Sequence, residues 1–293
     1  MATAELTPDV LNREQETSRR RVPWARLPLW VFSALVFLFL LVPSFVVVPM
    51  ALTPKDILEF PPSGLSLHTF GDLFRSEAWM ASIATSLKVA AVAVLLAVVA
   101  GTVAAIGLHG ATFRGRGIVI GLILMPMTIP LVVLALGYFG FLVRFGMAGT
   151  ATGIALAHAV LATPYVYLVV AASLTGLDPA LIRAVTSSGG GGLAAFWHVY
   201  VPAIRAGVGA GILFAFTVSF DEVVIAYFLQ SPDATTLPVK MFTDIQYDLT
   251  PTIAAVSTLM LLLTALIFVV QILSSRRRSN ATLVPGMSVQ APK

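Results

Sequence analysis

The chain has no cysteine among its 293 residues. Disulfides, thiolate metal sites and a cysteine nucleophile are therefore excluded. Charge is also scarce, at 11% of residues, where a soluble domain of this length carries about 25%. The four histidines, His68, His109, His158 and His198, fall on different segments and lack metal-ligand spacing. No G-x-x-x-x-G-K-S/T loop is present, and no Lys-Ser/Thr follows the four glycines at 189–192. With no converging catalytic groups either, the chain is not expected to be an enzyme on its own, to hydrolyse ATP or to hold a cofactor. The formal charge of +4 does not indicate nucleic acid, because the basic residues stand scattered at the ends of apolar runs.

Apolar sequence is what the chain has in excess. Hydrophobic residues make up 58% and the mean hydropathy is +0.92, so a bilayer must supply the apolar surroundings. At roughly 20 residues per crossing, six spans are expected near 29–52, 89–108, 118–143, 151–175, 204–229 and 249–275, the second helix beginning nearer residue 82. The stretch 206–220 is too short alone, so the fifth span is drawn to include Asp221 and Glu222. The first segment is too long for a signal peptide and no small-x-small cleavage site follows it, so it reads as a retained anchor.

Lys and Arg set the orientation. A cytoplasmic N-terminus puts 13 of the 18 inside: Arg13, Arg19, Arg20, Arg21, Arg26, Arg114, Arg116, Arg183, Arg205, Arg276, Arg277, Arg278 and Lys293. Lys55, Arg75, Lys88, Arg144 and Lys240 stay outside or at the outer rim, and both termini become cytoplasmic. The expected organisation is a basic tail over 1–27, a six-span transmembrane domain over 28–275 with a loop at 177–202, and a second tail over 276–293. The outer connections 53–81 and 230–250 carry Asp56, Glu59, Asp72, Glu77, Asp233, Asp244 and Asp248. They read equally as solvated loops or as a rim for an extracytoplasmic partner.

The loop "LTGLDPALIRAVTSSGGGGLAAFWHVYVPAIRAGV" interrupts the apolar rhythm. Asp178 followed by Pro179 is a helix start, and the glycines end that helix near residue 187. A second helix is expected from about Leu193 to just before Pro202. Leu193, Phe196, Trp197 and Tyr200 form an apolar-aromatic face on it. Periodicity leaves three readings open: a helix on lipid headgroups, a helix packed under the bundle, or a partner-docking element.

This loop resembles the signature "EAA" loop of binding-protein-dependent ABC importer permeases. Arg183-Ala184-Val185, then Gly189, Val199, Val201 and Pro202 keep the family spacing from end to end. Arg183 replaces the family's acidic residue, Val185 its second alanine, and Gly190 to Gly192 its usual post-glycine residues. The resemblance covers about 29–273 and is closest to permeases of the spermidine/putrescine type. "TSLKVAAVAVLLAVVAGTVAAIGL", "LAHAVLATPYV", "LFAFTVSFDEVVIAYFL" and "TTLPVKMF" carry it.

It implies an all-α, six-span permease of the type I ABC importer kind in the bacterial inner membrane, with a coupling helix-turn-helix seated on an ATPase. The implied coupling residues are Arg183, Ala184, Gly189, Phe196, Trp197 and Pro202. The implied partners are a second permease, two ATPase subunits that bind ATP and Mg, and an extracytoplasmic substrate-binding protein. The implied mechanism is alternating access for a small cationic or zwitterionic, polyamine-like solute. The branch also takes other solutes, such as opines, amino-acid derivatives or phosphonates. A stand-alone secondary transporter is the alternative from another class, although no internal repeat is visible.

Ionisable residues inside a span face a cavity or a partner. Asp221 and Glu222 are therefore read as a cation site, against a pair hydrated at the boundary or satisfied by Lys88 or Lys240. His158 and Tyr165, seven residues apart on one helix face, and Tyr227 complete the candidate pathway. A structural histidine remains the competing reading for His158. Pro126, Pro130 and Pro164 are expected to kink the third and fourth spans. Gly207 and Gly211 are expected to pack helices closely.

Overall fold

The computed structural model describes residues 27–281 and contains no strand among them. The two tails expected over 1–27 and 276–293 fall almost wholly outside the described residues. What is described at their edges is backbone: Leu27 opens the first helix and the last helix runs on to Ala281.

Helix α1 spans Leu27–Met50, α2 His68–Arg75 and α3 Glu77–Leu108. Next come α4 at Arg116–Leu124, α5 at Leu131–Val143, α6 at Ala151–Leu174 and α7 at Pro179–Ser187. The chain continues through α8 at Gly192–Ala195, α9 at Val201–Phe220, α10 at Val224–Leu229, α11 at Leu237–Tyr247 and α12 at Pro251–Ala281. Among the described residues, four helical stretches are long and apolar enough to cross a bilayer: Pro28–Met50, Glu77–Leu108, Ala151–Leu174 and Gly192–Phe220. The apolar part of α12, Pro251–Ile267, is shorter.

The third span is more than kinked. α4 and α5 meet at 102° across a 3-10 turn at Met125–Met127. Pro126 and Pro130 lack the N–H groups an unbroken helix needs there. α6, in contrast, continues through Pro164 as one helix. α3 starts earlier than expected, at Glu77, because Ser76 caps it by accepting from the Trp79 N–H at 3.5 Å.

The fifth span corrects the sequence reading twice. Pro202 does not end a helix. A π turn at Phe196–Tyr200, closed by the Val201 N–H on Phe196 O, leads straight into α9. The wider turn lets the chain pass a proline that can neither donate nor fit against the carbonyl four residues back. The span therefore gains its length on the Gly192 side. It stops at Phe220, leaving Asp221 and Glu222 in a break before α10 instead of inside a helix.

α3, α6 and α9 form the centre of the bundle. Their contact depends on residues without a side chain. A Cβ at Gly101 would lie 2.8 Å from Val166 Cβ and 2.9 Å from the Tyr167 N. One at Gly207 would meet Val169 O at 3.0 Å. The small-residue face of α9 thus packs on α6 as expected.

Candidate functional site

The loop between α6 and α9 is a tight helical hairpin. Asp178 Oδ1 accepts from the Ala180 N–H at 2.8 Å, and Pro179 takes the first helical position. Gly189 ends α7 with φ +81°, a conformation L side chains resist. The Gly190 N–H then returns to Val185 O at 2.9 Å. Arg183, Ala184, Gly189, Trp197 and Pro202 are exposed, whereas Phe196 is half-buried and stands edge-on to Trp197 at 5.1 Å. A shallow open surface runs over Ala184, Val185, Ser188, Gly190 and His198. Leu193 at 72% and Trp197 at 59% exposure leave apolar area uncovered beside it.

The break after α9 separates the two acids. Glu222 is buried, and its carboxylate accepts from the N–H groups of Ile225 at 2.9 Å and Ala226 at 3.0 Å. It takes over the start of α10, where Val223 at the cap position offers no acceptor. His158, fully buried on α6, brings Nε2 to 3.3 Å from Glu222 Oε2, close but not aligned as a hydrogen bond. Its Nδ1 lies 3.0 Å from Ser219 Oγ on α9.

Asp221 is exposed. It borders a groove of about 300 Å³ between α9 and α12, whose other walls include Phe216, Thr217, Phe220, Met260 and Leu263. Phe216 and Phe220 stack there with centroids 5.1 Å apart and planes at 14°. Among the described residues, Asp221 is the only ionisable one lining this groove.

The sequence candidates thus divide. His158 and Glu222 come together. Asp221 faces the groove without them. Tyr165 is half-buried on α6, and Tyr227 is exposed on α10, edge-on to Phe242 at 5.7 Å. Lys240 does not pair with the acids: it binds Asp244 at 3.0 Å and covers the Trp79 ring at 4.5 Å. Lys88 is exposed and makes no ion pair among the described residues. Ser219 was missed: its partner His158 lies 61 positions away in sequence, and nothing local marks that contact. The α12 wall of the groove gave no signal, since Met260 and Leu263 look like any membrane helix.

Residues 97–279, which contain both the hairpin and the groove, match the family described as "Binding-protein-dependent transport system inner membrane component". The chain belongs to this family. It is a multi-pass inner-membrane permease of a binding-protein-dependent ABC importer, which sets aside the stand-alone carrier. This permease is 33% identical over 82% of its length, and 86% of the relative's, to the putrescine transport system permease protein PotI of Escherichia coli K12. It is 26% identical to the spermidine/putrescine transport system permease protein PotC of Haemophilus influenzae, over 85% and 96% of the two chains.

Its fold is that of a solved bacterial ABC transporter involved in importing the acidic polysaccharide alginate. The TM-score is 0.69 at 14% identity, covering 86% of this chain and 96% of that one. A second alginate transporter structure, in complex with an alginate-bound periplasmic protein, matches with TM-score 0.65 at 15% identity over 90% and 96%.

Proposed function

We propose that this permease carries a small polyammonium solute of the putrescine or spermidine class. The observation that carries the reading is the isolated Asp221 carboxylate in a groove walled by stacked Phe216 and Phe220. Apolar and aromatic walls suit a methylene chain, and one carboxylate suits an ammonium group, through charge and the negative ring faces. A pathway must release what it binds, so a single acid fits better than a cage. Relatives named for putrescine and spermidine support the same solute class.

In this reading the permease works with a second permease subunit, two ATPase subunits and an extracytoplasmic binding protein. ATP and Mg sit on the ATPases. Both termini and the α7–α8 hairpin face the cytoplasm, where Arg183, Ala184, Gly189, Phe196, Trp197 and Pro202 form the ATPase contact. Closure of the ATPase dimer draws the hairpins together and turns the spans outward. The solute leaves its binding protein, enters, and is released inward after hydrolysis.

The test is uptake of radiolabelled putrescine by membrane vesicles containing the assembled transporter, comparing wild type with Asp221→Asn. The amide variant is expected to insert normally and to lose most uptake while binding-protein affinity is unchanged. Wild-type uptake by this variant would remove Asp221 from the pathway. An anionic solute found in the associated binding protein would overturn the solute class.

A further inference from the structure

Asp221 and Glu222 are adjacent in sequence, yet their carboxylates stand in opposite surroundings. One is exposed at the groove; the other is 6% exposed and met by groups from two helices. Two backbone N–H groups reach Glu222 from α10, and the His158 imidazole approaches it from α6. Ser219, 4% exposed on α9, holds the other face of that imidazole. A serine hydroxyl donating to Nδ1 leaves the ring proton on Nε2, so the 3.3 Å approach to Glu222 Oε2, although not aligned as a hydrogen bond, is between complementary groups.

These partners account for the Glu222 side chain. A carboxylate removed from water in a membrane protein is costly unless it is paired and hydrogen-bonded. A break in a membrane helix is likewise tolerated only where its freed backbone groups find partners. Glu222 meets both requirements within the fold, and no solute is needed to stabilise it. The same contacts fix the chain direction between Phe220 and Val224, which includes Asp221. Among the described residues that pair with the carboxylate, only His158 comes from a helix other than α10.

We propose that Glu222 is a positioning residue and not a solute ligand. With His158 and Ser219 it forms a buried tie from α6 to the α9–α10 break, and this tie sets where the Asp221 carboxylate stands in the groove. The transport role of the tie rests on the reading of Asp221 given above; its geometry does not. Displacement of α6 against α9 reaches Asp221 through the imidazole, so the solute site is coupled to the packing of the bundle.

The absence of native cysteine makes the test direct. Asp221→Cys places a single thiol in this chain, in the transporter assembled with its partner subunits in vesicles. Its rate of modification by a charged methanethiosulfonate is measured alone and combined with Glu222→Gln, His158→Leu or His158→Gln. The tie predicts a rate change of roughly fivefold or more, within the usual range for coupled sites, with Glu222→Gln and with His158→Leu. Combining those two should change the rate no further. His158→Gln, which keeps a donor, should remain nearer to the parent and serves if the leucine variant fails to insert.

Putrescine uptake with Asp221 intact should fall in the same rank order. An unchanged thiol rate in Glu222→Gln and in both His158 variants would overturn the tie, even if Asp221→Asn abolishes uptake. A shifted thiol rate with full uptake by Asp221→Asn would instead leave the tie standing and overturn the cation reading.

Discussion

Ser86 on α3 accepts a hydrogen bond from the Leu237 N–H at the start of α11, at 2.7 Å and across 151 positions of sequence. Both residues are buried. Close by, Lys240 lies over Trp79 and binds Asp244, so α11 is held to α3 at two places. Ser86→Ala leaves the Leu237 N–H without a partner in an interior that water does not reach, a loss of about 1–3 kcal/mol. Thermal unfolding of the detergent-purified protein should show a lowered midpoint for Ser86→Ala and a smaller loss for Ser86→Thr.

The α6–α9 contact has no room for a side chain at Gly207, where the obstacles are Val169 O and the Ser173 side chain. Gly101 is limited by the Tyr167 backbone in the same way. Replacing either with valine forces two central helices apart, at a cost of about 1–3 kcal/mol or more. Both variants should accumulate poorly in membranes. Gly121→Val is the control, because a Cβ there meets nothing within 4 Å. Equal accumulation of all three would remove the close-packing account.

Glu59 holds the connection after α1. Its carboxylate binds Lys55 Nζ at 2.7 Å and accepts from the Ser63 N–H at 2.8 Å, from the Ser63 hydroxyl and from the Thr53 hydroxyl. Lys55 first, and then Ser63, pull its pKa down to about 2 from 4.5. A depressed acid stabilises the folded loop above its ordinary pKa, and that contribution fades as pH falls from 4.5 towards 2. Pepsin cleavage within residues 53–66 should therefore be slow near pH 4.5 and faster towards pH 2. Because pepsin itself slows towards pH 4.5, the measure is the cleavage rate of Glu59→Gln relative to wild type: it should stand well above one near pH 4.5 and approach one towards pH 2, and parallel pH profiles would show that Glu59 does not hold the loop.

The helix inventory was legible because apolar runs and caps such as Asp178-Pro179 are local signals. The fifth span was misplaced for a physical reason. Its length was counted from charge alone, and a π turn that carries a helix through Pro202 leaves no mark in hydropathy. The site was legible only in part. Asp221 and Glu222 stood out as acids in apolar sequence, but nothing local distinguishes the one that caps α10 from the one that borders the groove. That difference arises when α6 brings His158 to the break, a contact spanning 64 positions between His158 and Glu222.

The α7–α8 hairpin offers two substitutions that act by different physics. Gly189 sits at φ +81°, so Gly189→Val strains the backbone wherever its side chain points. The turn that lets Gly190 return to Val185 should open, and the exposed surface around Ala184 and Trp197 should lose its shape. The variant should insert normally, because no buried residue is touched, but should fail to co-purify with the ATPase subunit and lose putrescine uptake. Arg183 is exposed, and Arg183→Glu alters charge without altering the backbone. If Arg183 meets an ATPase surface matched to its charge, reversal places like charges together and weakens docking. The salt dependence of co-purification separates the two effects: exposed charge pairs are screened by salt and a strained turn is not. Arg183→Glu should therefore respond to ionic strength, whereas Gly189→Val should be defective at every concentration. Unchanged docking and an unchanged coupled ATPase rate in Arg183→Glu would show that the position is idle, and normal coupling in Gly189→Val would remove the hairpin from the ATPase contact.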